Sequence, residues 1–381
     1  MGLTSHKVLA GVVLVAVLLF IATVWWWPRL ARSSWRTVLG RVGLLSATQL
    51  MVFAAVGLAA NQAFGFYASW ADLMGREQTP GTVVEHRSAA TAADTRGGES
   101  ADGGRLRVNG VEPLPGGARP AAGGQLQRVD IAGGVTGTVT PAFVYLPPEY
   151  FQPRYRDRSF PAVTVLTGYP GTAEALIKGL HYPQTARKQV AAGTAQPMVL
   201  VMLRPTVAPP RDTECVDIPG GPQVETFFAR DLPKVISGHY RIGAKAESWG
   251  VVGDSTGGYC ALKLALHHPG AYAAGAGLSA YYRAAEDPTT GDLFHGDESL
   301  RRRADLMWGL RHLPMPRTSL LVTSSKEGED NYRDTERFVA AVRPPARISS
   351  IVLDSGGHNF TTWRREIPAT LQWLSGRLSV G

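Results

Sequence analysis

The sequence predicts an α/β fold: a mostly parallel sheet with helices on both faces, preceded by two transmembrane helices. Three observations carry that expectation. Apolar, β-branched runs such as Ala162-Val163-Thr164-Val165-Leu166 and Met198-Val199-Leu200-Val201-Met202-Leu203 are continuous rather than alternating, as strands buried on both faces are. Helical patterns separate these runs, which is the order of a sheet with crossover helices. Two uncharged apolar stretches, residues 8–27 and 42–63, each have the ~20-residue length a helix needs to cross the hydrocarbon core.

Around those two stretches the flanking residues fit a membrane boundary. Trp25, Trp26 and Trp27 end the first, and Phe64, Phe66, Tyr67 and Trp70 follow the second, as amphipathic rings do at the headgroup level. Arg29, Arg32, Arg36 and Arg41 lie in and beside the connection between them, so the positive-inside rule expects that connection in the cytoplasm and the rest of the chain outside it. A cleaved signal peptide fits less well. The apolar run is too long, and Trp-Trp-Trp-Pro-Arg stands where small cleavage-site residues belong. The chain carries 39 Lys and Arg against 31 Asp and Glu, a net charge of +8. The basic residues form no single long patch, and these four arginines account for half of the excess, so it reads as membrane topology and not as a nucleic-acid surface.

Composition divides the 381 residues into three parts. Residues 1–75 are expected to form the two-span anchor. Residues 76–126 are rich in Gly, Ala and Pro; a stretch such as 89–98 has no apolar periodicity and reads as a flexible tether. Residues 127–381 form the α/β domain. Its expected strands cover 137–146, 162–167, 198–203, the run before Ser255, 273–278, 320–324 and 348–353. Its expected helices cover 224–237, the segment after Ser255, 300–313, 334–342 and 363–378. In such sheets ligands bind beyond the carboxyl ends of the strands, so chemistry-bearing residues just after strands are the ones to inspect.

Trp249-Gly250-Val251-Val252-Gly253-Asp254-Ser255-Thr256-Gly257-Gly258-Tyr259 is the strongest of these places. An apolar strand ends in Gly-x-Ser-x-Gly, and a small-residue helix follows at once. The glycines let strand and helix approach while the serine hydroxyl projects at the helix N-terminus. His358 is the one histidine that follows an expected strand inside a glycine-rich turn, Gly356-Gly357-His358-Asn359. Between the two, the loop Ser324-Ser325-Lys326-Glu327-Gly328-Glu329-Asp330 supplies three carboxylates. Glu327, third after the expected strand end, is the first choice of acid, with Glu329 and Asp330 as alternatives. The order serine, acid, histidine is that of the α/β-hydrolase arrangement. A serine hydroxyl is too weak an acid to attack an ester unaided; histidine takes its proton, and a carboxylate fixes the imidazole. The expected oxyanion donors are the backbone N–H groups of Tyr169 and Thr256.

Cys215 and Cys260 both fall in the part expected outside the cytoplasm, where a pair can form a disulfide. No second Cys or His stands at ligand spacing beside either one, so no metal site is expected, and the serine chemistry requires no cofactor.

With these residues the chain resembles the putative esterase family of α/β-hydrolases, which includes esterase D and the mycolyltransferases. The resemblance runs from about residue 127 to 378. It is carried by Val144-Tyr145-Leu146-Pro147-Pro148-Glu149-Tyr150, Leu166-Thr167-Gly168-Tyr169-Pro170-Gly171, the run from Gly253 to Ala261, and Gly356-Gly357-His358-Asn359-Phe360. It is nearest to membrane-tethered actinobacterial members. The resemblance implies Ser255 as nucleophile, His358 as base and an acid at the strand end matching Glu327. Thr167 stands where many members carry histidine before glycine; a backbone N–H serves there either way. The expectation is a membrane-anchored, extracytoplasmic serine esterase acting on a small-molecule or lipid acyl ester. Acyl transfer to a cell-envelope alcohol is the alternative within the same chemistry, and a non-catalytic envelope protein the alternative outside it. The segment 284–316, with Met307 and Trp308, is either a wall of the acyl pocket or an ordinary sheet-covering helix.

Overall fold

The structure is a computed structural model; it describes residues 6–31, 34–64, 70, 74, 83–86, 104–112, 114, 119–207 and 211–380. Arg32, Phe66, Tyr67 and the stretch 89–98 lie outside the described residues. The chain divides into two compact units.

The first unit comprises residues 1–78 with the short segments 325–330 and 354–362. Helices α1 (His6–Leu30) and α2 (Trp35–Phe64) dominate it. Their most apolar windows have mean hydropathies of 2.8 and 1.9, and both helices are long and apolar enough to cross a bilayer. Ala16, Thr23, Leu58 and Asn61 are buried, and the Thr23 and Thr48 hydroxyls meet at 3.2 Å. Each threonine also bonds the carbonyl four residues back, Leu19 and Leu44, which satisfies it in an apolar setting. Leu18, Phe20, Ile21, Val24, Phe53 and Val56 point outward.

The second unit, residues 79–324, 331–353 and 363–381, holds the sheet. Its strands are β1 (Val83–His86), β2 (Arg105–Glu112), β3 (Gln125–Ala132), β4 (Val139–Leu146), β5 (Ala162–Leu166), β6 (Val199–Leu203), β7 (Trp249–Asp254), β8 (Ala274–Leu278), β9 (Ser319–Glu327) and β10 (Arg347–Ser355). Their order is β1-β10-β9-β8-β7-β5-β6-β4-β3-β2. The central run β6-β5-β7-β8-β9 is parallel, and β2, β3 and β4 add antiparallel neighbours on one side. Every residue of β5, β6, β7 and β8 is buried, the burial that their unbroken apolar sequences require. The helices are α3 (Ala173–Lys178), α4 (Tyr182–Ala191), α5 (Val224–Thr226, a π turn Phe227–Asp231, then Leu232–His239), α6 (Thr256–His267), α7 (Glu298–Arg303), α8 (Leu306–His312), α9 (Tyr332–Ala341) and α10 (Phe360–Ser375).

The tether expected over residues 76–126 needs correction. Both edge strands of the sheet come from it. Strand β1 pairs antiparallel with β10, Val83 opposite Ile351, and β2 pairs with β3, Leu106 opposite Ile131. An edge strand has one neighbour and one open face, so ladder hydrogen bonds hold it with little apolar content. Val84, Val108 and Val111 are exposed. Polar contacts add to the ladder at β1: the Ser349 hydroxyl and Arg377 guanidinium bond the Glu85 carboxylate, and His86 meets the Ser350 hydroxyl at 3.0 Å.

Candidate active site

Strand β7 runs buried to Asp254, and α6 starts at Thr256. Ser255 between them sits at φ 53°, ψ −121°, backbone that a residue with a side chain rarely adopts. The turn is held from both sides: Ser255 N–H donates to Leu278 O at 2.9 Å, and its carbonyl accepts from Tyr259 N–H at 2.9 Å. Only glycine fits at the flanks. A Cβ on Gly253 would lie 2.3 Å from the Gly257 carbonyl carbon, and one on Gly257 would lie 2.5 Å from Leu166 O. The sequence spacing Gly-x-Ser-x-Gly is therefore a packing requirement of this turn. Thr256 N–H belongs to the first turn of a 12-residue helix, where amides have no intrahelical acceptor and the dipole favours negative charge.

The loop after β5 packs directly on this turn. Gly168 N–H donates to the buried Asp254 carboxylate at 2.8 Å, and a Cβ on Gly168 would come within 3.0 Å of Ser255 Cβ. Thr167 Oγ1 donates to Gly168 O at 2.7 Å, and Gly171 N–H closes the loop on the same carbonyl at 2.8 Å. Asp254 thus clamps the loop that carries Tyr169, a role that the variable position of a five-residue motif does not announce. Tyr169 borders two clefts. One, of about 580 Å³, is lined with it by Arg211, Thr289, Gly291, Asp292 and His295; the other, of about 200 Å³, by Gly168, Arg204 and Thr206 among others. Of the segment 284–316, residues 288–295 therefore line a cleft beside Tyr169. Met307 lines a different one with Tyr281 and Arg311, and Trp308 stacks on His312 at 4.6 Å.

His358 follows β10. Gly356 N–H donates to Glu327 O at 3.0 Å, and a Cβ on Gly356 would strike Ser325 Oγ at 2.5 Å, so the turn closes only with glycine. Asn359 Oδ1 accepts from Thr361 N–H at 2.8 Å and Thr362 N–H at 3.1 Å, capping the start of α10. His358 Nδ1 lies 3.8 Å from Glu329 Oε1, with the histidine side chain 33% exposed and the glutamate side chain 2% exposed. That is ion-pair contact, longer than a hydrogen bond. Glu327, the first choice from the sequence, is exposed at the end of β9 and contributes its backbone carbonyl to the histidine turn. Asp330 is exposed. Of the three loop carboxylates, Glu329 is the one described within ion-pair distance of His358.

Behind the serine turn, Cys215 and Cys260 form a disulfide, with Cα atoms 5.5 Å apart, that joins the loop after β6 to α6. The bridge spans a sequence separation of 45 residues. Closing such a loop removes entropy from the unfolded chain, so replacing both cysteines with alanine should lower unfolding free energy by about 2–4 kcal/mol. Denaturant midpoints with and without reductant measure it; equal midpoints would show that the bridge carries no stability.

Residues 134–374 match the family described as putative esterase. The chain belongs to that family. It is also similar to an uncharacterized protein of Corynebacterium glutamicum, 24% identical over 283 residues, and spans 62% of that relative's length while 67% of this chain is matched. Among solved structures, an S-formylglutathione hydrolase from Agrobacterium tumefaciens matches with a TM-score of 0.54 at 16% identity, covering 71% of this chain and 99% of its own. A ferulic acid esterase matches at 0.53 and 19% identity, covering 67% and 98%. A fluorophosphonate-binding serine hydrolase of Staphylococcus aureus matches at 0.53 and 14% identity, covering 66% and 98%. At these identities the likeness is one of fold, and the fold is that of the α/β-hydrolases.

Proposed function

We propose that the chain is a membrane-anchored, extracytoplasmic serine esterase that cleaves acyl esters through Ser255, His358 and Glu329. The observation that carries this is the backbone of Ser255, held at positive φ in a cage that admits only glycine on either side. Strain of that kind persists where the surrounding structure over-determines it, and here it aims a hydroxyl at a helix N-terminus. The three residues follow strands of one sheet in the order serine, acid, histidine.

In the reaction, Ser255 Oγ forms a bond to the ester carbonyl carbon as His358 Nε2 takes its proton. Glu329 faces Nδ1, which fixes the tautomer and stabilises the imidazolium. The Thr256 and Tyr169 N–H groups receive the negative carbonyl oxygen. Collapse breaks the bond to the alcohol, which leaves with the proton from His358. Water, deprotonated by the same histidine, then releases the acid and restores Ser255.

For location, Arg29, Arg36 and Arg41 around the connection between α1 and α2 favour that connection in the cytoplasm. A disulfide in the unit that carries Ser255 fits an oxidising compartment outside. The substrate is a small-molecule or lipid ester at the membrane surface.

The test is a fluorophosphonate probe applied to the detergent-solubilised full chain, followed by peptide mass mapping. A single adduct on the peptide containing Ser255 is expected, and none when the protein is denatured before the probe is added. An unlabelled protein, or an adduct elsewhere, would sink the reading. Adding simple alcohols during turnover of a p-nitrophenyl ester separates the two acyl acceptors: free acid falling while phenol release persists would move the reading to acyl transfer.

A further inference from the structure

The loop after β6 carries two carboxylates that the reaction above does not use, and both are buried behind the serine turn: Asp212 and Glu214 are 3% and 1% exposed. Glu214 and Cys215 are consecutive non-glycine residues at positive φ, 48° and 49°. The Cys215–Cys260 bridge and a 2.7 Å bond from Lys263 Nζ to Cys215 O hold this segment against α6. A chain of three oxygen contacts then joins the carboxylates through two hydroxyls. Glu214 Oε1 meets Tyr281 OH at 2.5 Å, Tyr281 OH meets Thr256 Oγ1 at 2.9 Å, and Thr256 Oγ1 meets Asp212 Oδ2 at 3.3 Å.

The proton count decides what this chain is. Tyrosine and threonine each bring one hydroxyl hydrogen, so two hydrogens serve three contacts when both carboxylates are ionised. One contact is then oxygen against oxygen with no hydrogen between. One more proton fills all three, running from Glu214 to Tyr281, to Thr256, to Asp212. Its place is Glu214. Asp212 has two further donors, the Glu214 N–H at 3.1 Å and the Thr206 hydroxyl at 3.4 Å, whereas beyond Tyr281 Glu214 has the Ala285 backbone amide, and among the described residues no hydrogen-bond partner reaches its Oε2.

We propose that Asp212 and Glu214 share a single proton, and that the resulting one-way chain through Tyr281 and Thr256 positions the Thr256 amide that receives the oxyanion. The proposal rests on the Ser255 reading and adds Glu214, Tyr281 and Asp212 as positioning residues, none of which touches substrate. Thr256 is the link, since its hydroxyl accepts from Tyr281 and donates to Asp212 while its N–H faces the reacting carbonyl. Loss of the proton leaves that hydroxyl with one partner instead of two.

The surrounding charges agree. Burial, then the Asp212 charge, push Glu214 up to about 8, against the opposing pull of the Tyr281 hydrogen bond, the Ala285 backbone amide and Lys263. Burial also raises Asp212, with Asp287 adding to it and its own hydrogen bonds opposing. Lys263 on α6 is tied 2.9 Å from Glu225, and Arg211 donates to the Thr290 and Asp292 carbonyls. Tyr259 stacks on Tyr281 at 5.3 Å, and burial holds both phenols well above their ordinary range.

The experiment is the alkaline limb of kcat/KM on a p-nitrophenyl ester with the full chain in detergent. A group titrating at about 8 gives a wild-type ratio of roughly 0.1 between pH 9 and pH 7. Glu214→Gln donates to Tyr281 from an amide that does not ionise, so its ratio should rise to about 1. Glu214→Ala should lose rate by about the same factor at every pH. A purely packing role would leave the wild-type limb in place in Glu214→Gln, and that result overturns the proposal. Infrared spectra of glutamate-labelled wild type give a readout independent of turnover and of any variant's folding. A protonated carboxyl band should be present at pH 7 and bleach by pH 9.5; its absence at pH 7 also overturns the proposal. If Ser255→Ala kept full turnover while this band titrated, the serine reading would fail and the shared proton would stand.

Discussion

Glu329→Gln is expected to lower kcat/KM by roughly 10³–10⁴-fold with little change in KM, while Glu327→Gln stays within about threefold. Glutamine keeps the shape of the side chain but removes the charge that stabilises the imidazolium, so the loss falls on the chemical step. Glu329 has the position for that effect, nearly fully buried and 3.8 Å from His358 Nδ1. Glu327 is exposed, and what it gives the histidine turn is its backbone carbonyl, which glutamine also has. Steady-state rates on one activated ester, with fluorophosphonate labelling rates beside them, measure both variants. A larger loss in Glu327→Gln than in Glu329→Gln would reverse the assignment of the acid.

The reason the sequence points first to Glu327 lies in where β9 ends. The apolar signal fades after Val322, so the strand reads as finished at Ser324 and Glu327 counts as third in the loop. The strand in fact continues to Glu327, because Thr323, Ser324 and Ser325 are polar yet fully buried. Thr323 donates to Glu366 at 2.8 Å and Ser324 to Asn331 at 2.7 Å, so hydroxyls satisfied inside the sheet replace apolar side chains. The turn then falls at Gly328, φ 95°, and Glu329 is the first side chain beyond it. The sequence marks the acidic loop as a place, and what it does not mark is which of its carboxylates lies 3.8 Å from His358.

Elsewhere legibility follows the strength of the burial signal. The parallel strands and the serine turn read directly because full burial and close backbone approach leave few residue choices. The edge strands β1 and β2 do not read, since ladder hydrogen bonds hold them and leave half of each strand free to be polar. Helices α3 and α4, between β5 and β6, are likewise unmarked: α3 has six residues, and α4 has proline at its second position and fully buries only Tyr182, Pro183 and Ala186. Asp212, Glu214 and Tyr281 carry no local pattern at all. Two acids in a proline-containing loop look solvated until the disulfide and α6 cover them.

Lys263→Met is expected to cost about 3–5 kcal/mol of stability at pH 8 and clearly less at pH 5.5. Lys263 is buried on α6, where its ammonium lies 2.9 Å from Glu225 and donates to Cys215 O. Around Glu225, burial works against the charged carboxylate, but Lys263, His267 and His268 together hold it well below the usual carboxylate range. Methionine fills the same volume and leaves that carboxylate charged and buried without its ammonium partner, with Arg303 more distant at 3.7 Å. Lower pH supplies the missing charge. In the wild type, burial holds His267 below its ordinary value, with Lys263 and Arg303 adding to that against the pull of Glu225. Without Lys263, one of the charges holding it down, the His267 folded-state value rises. A histidine whose folded value is raised contributes stability that is present below its unfolded value and lost as pH rises through the folded one. The variant's deficit should therefore shrink from pH 8 to pH 5.5, read as the difference in denaturant midpoints from wild type at each pH. A deficit independent of pH would mean that the lysine stem's packing, and not its charge, supports the helix that carries the serine turn.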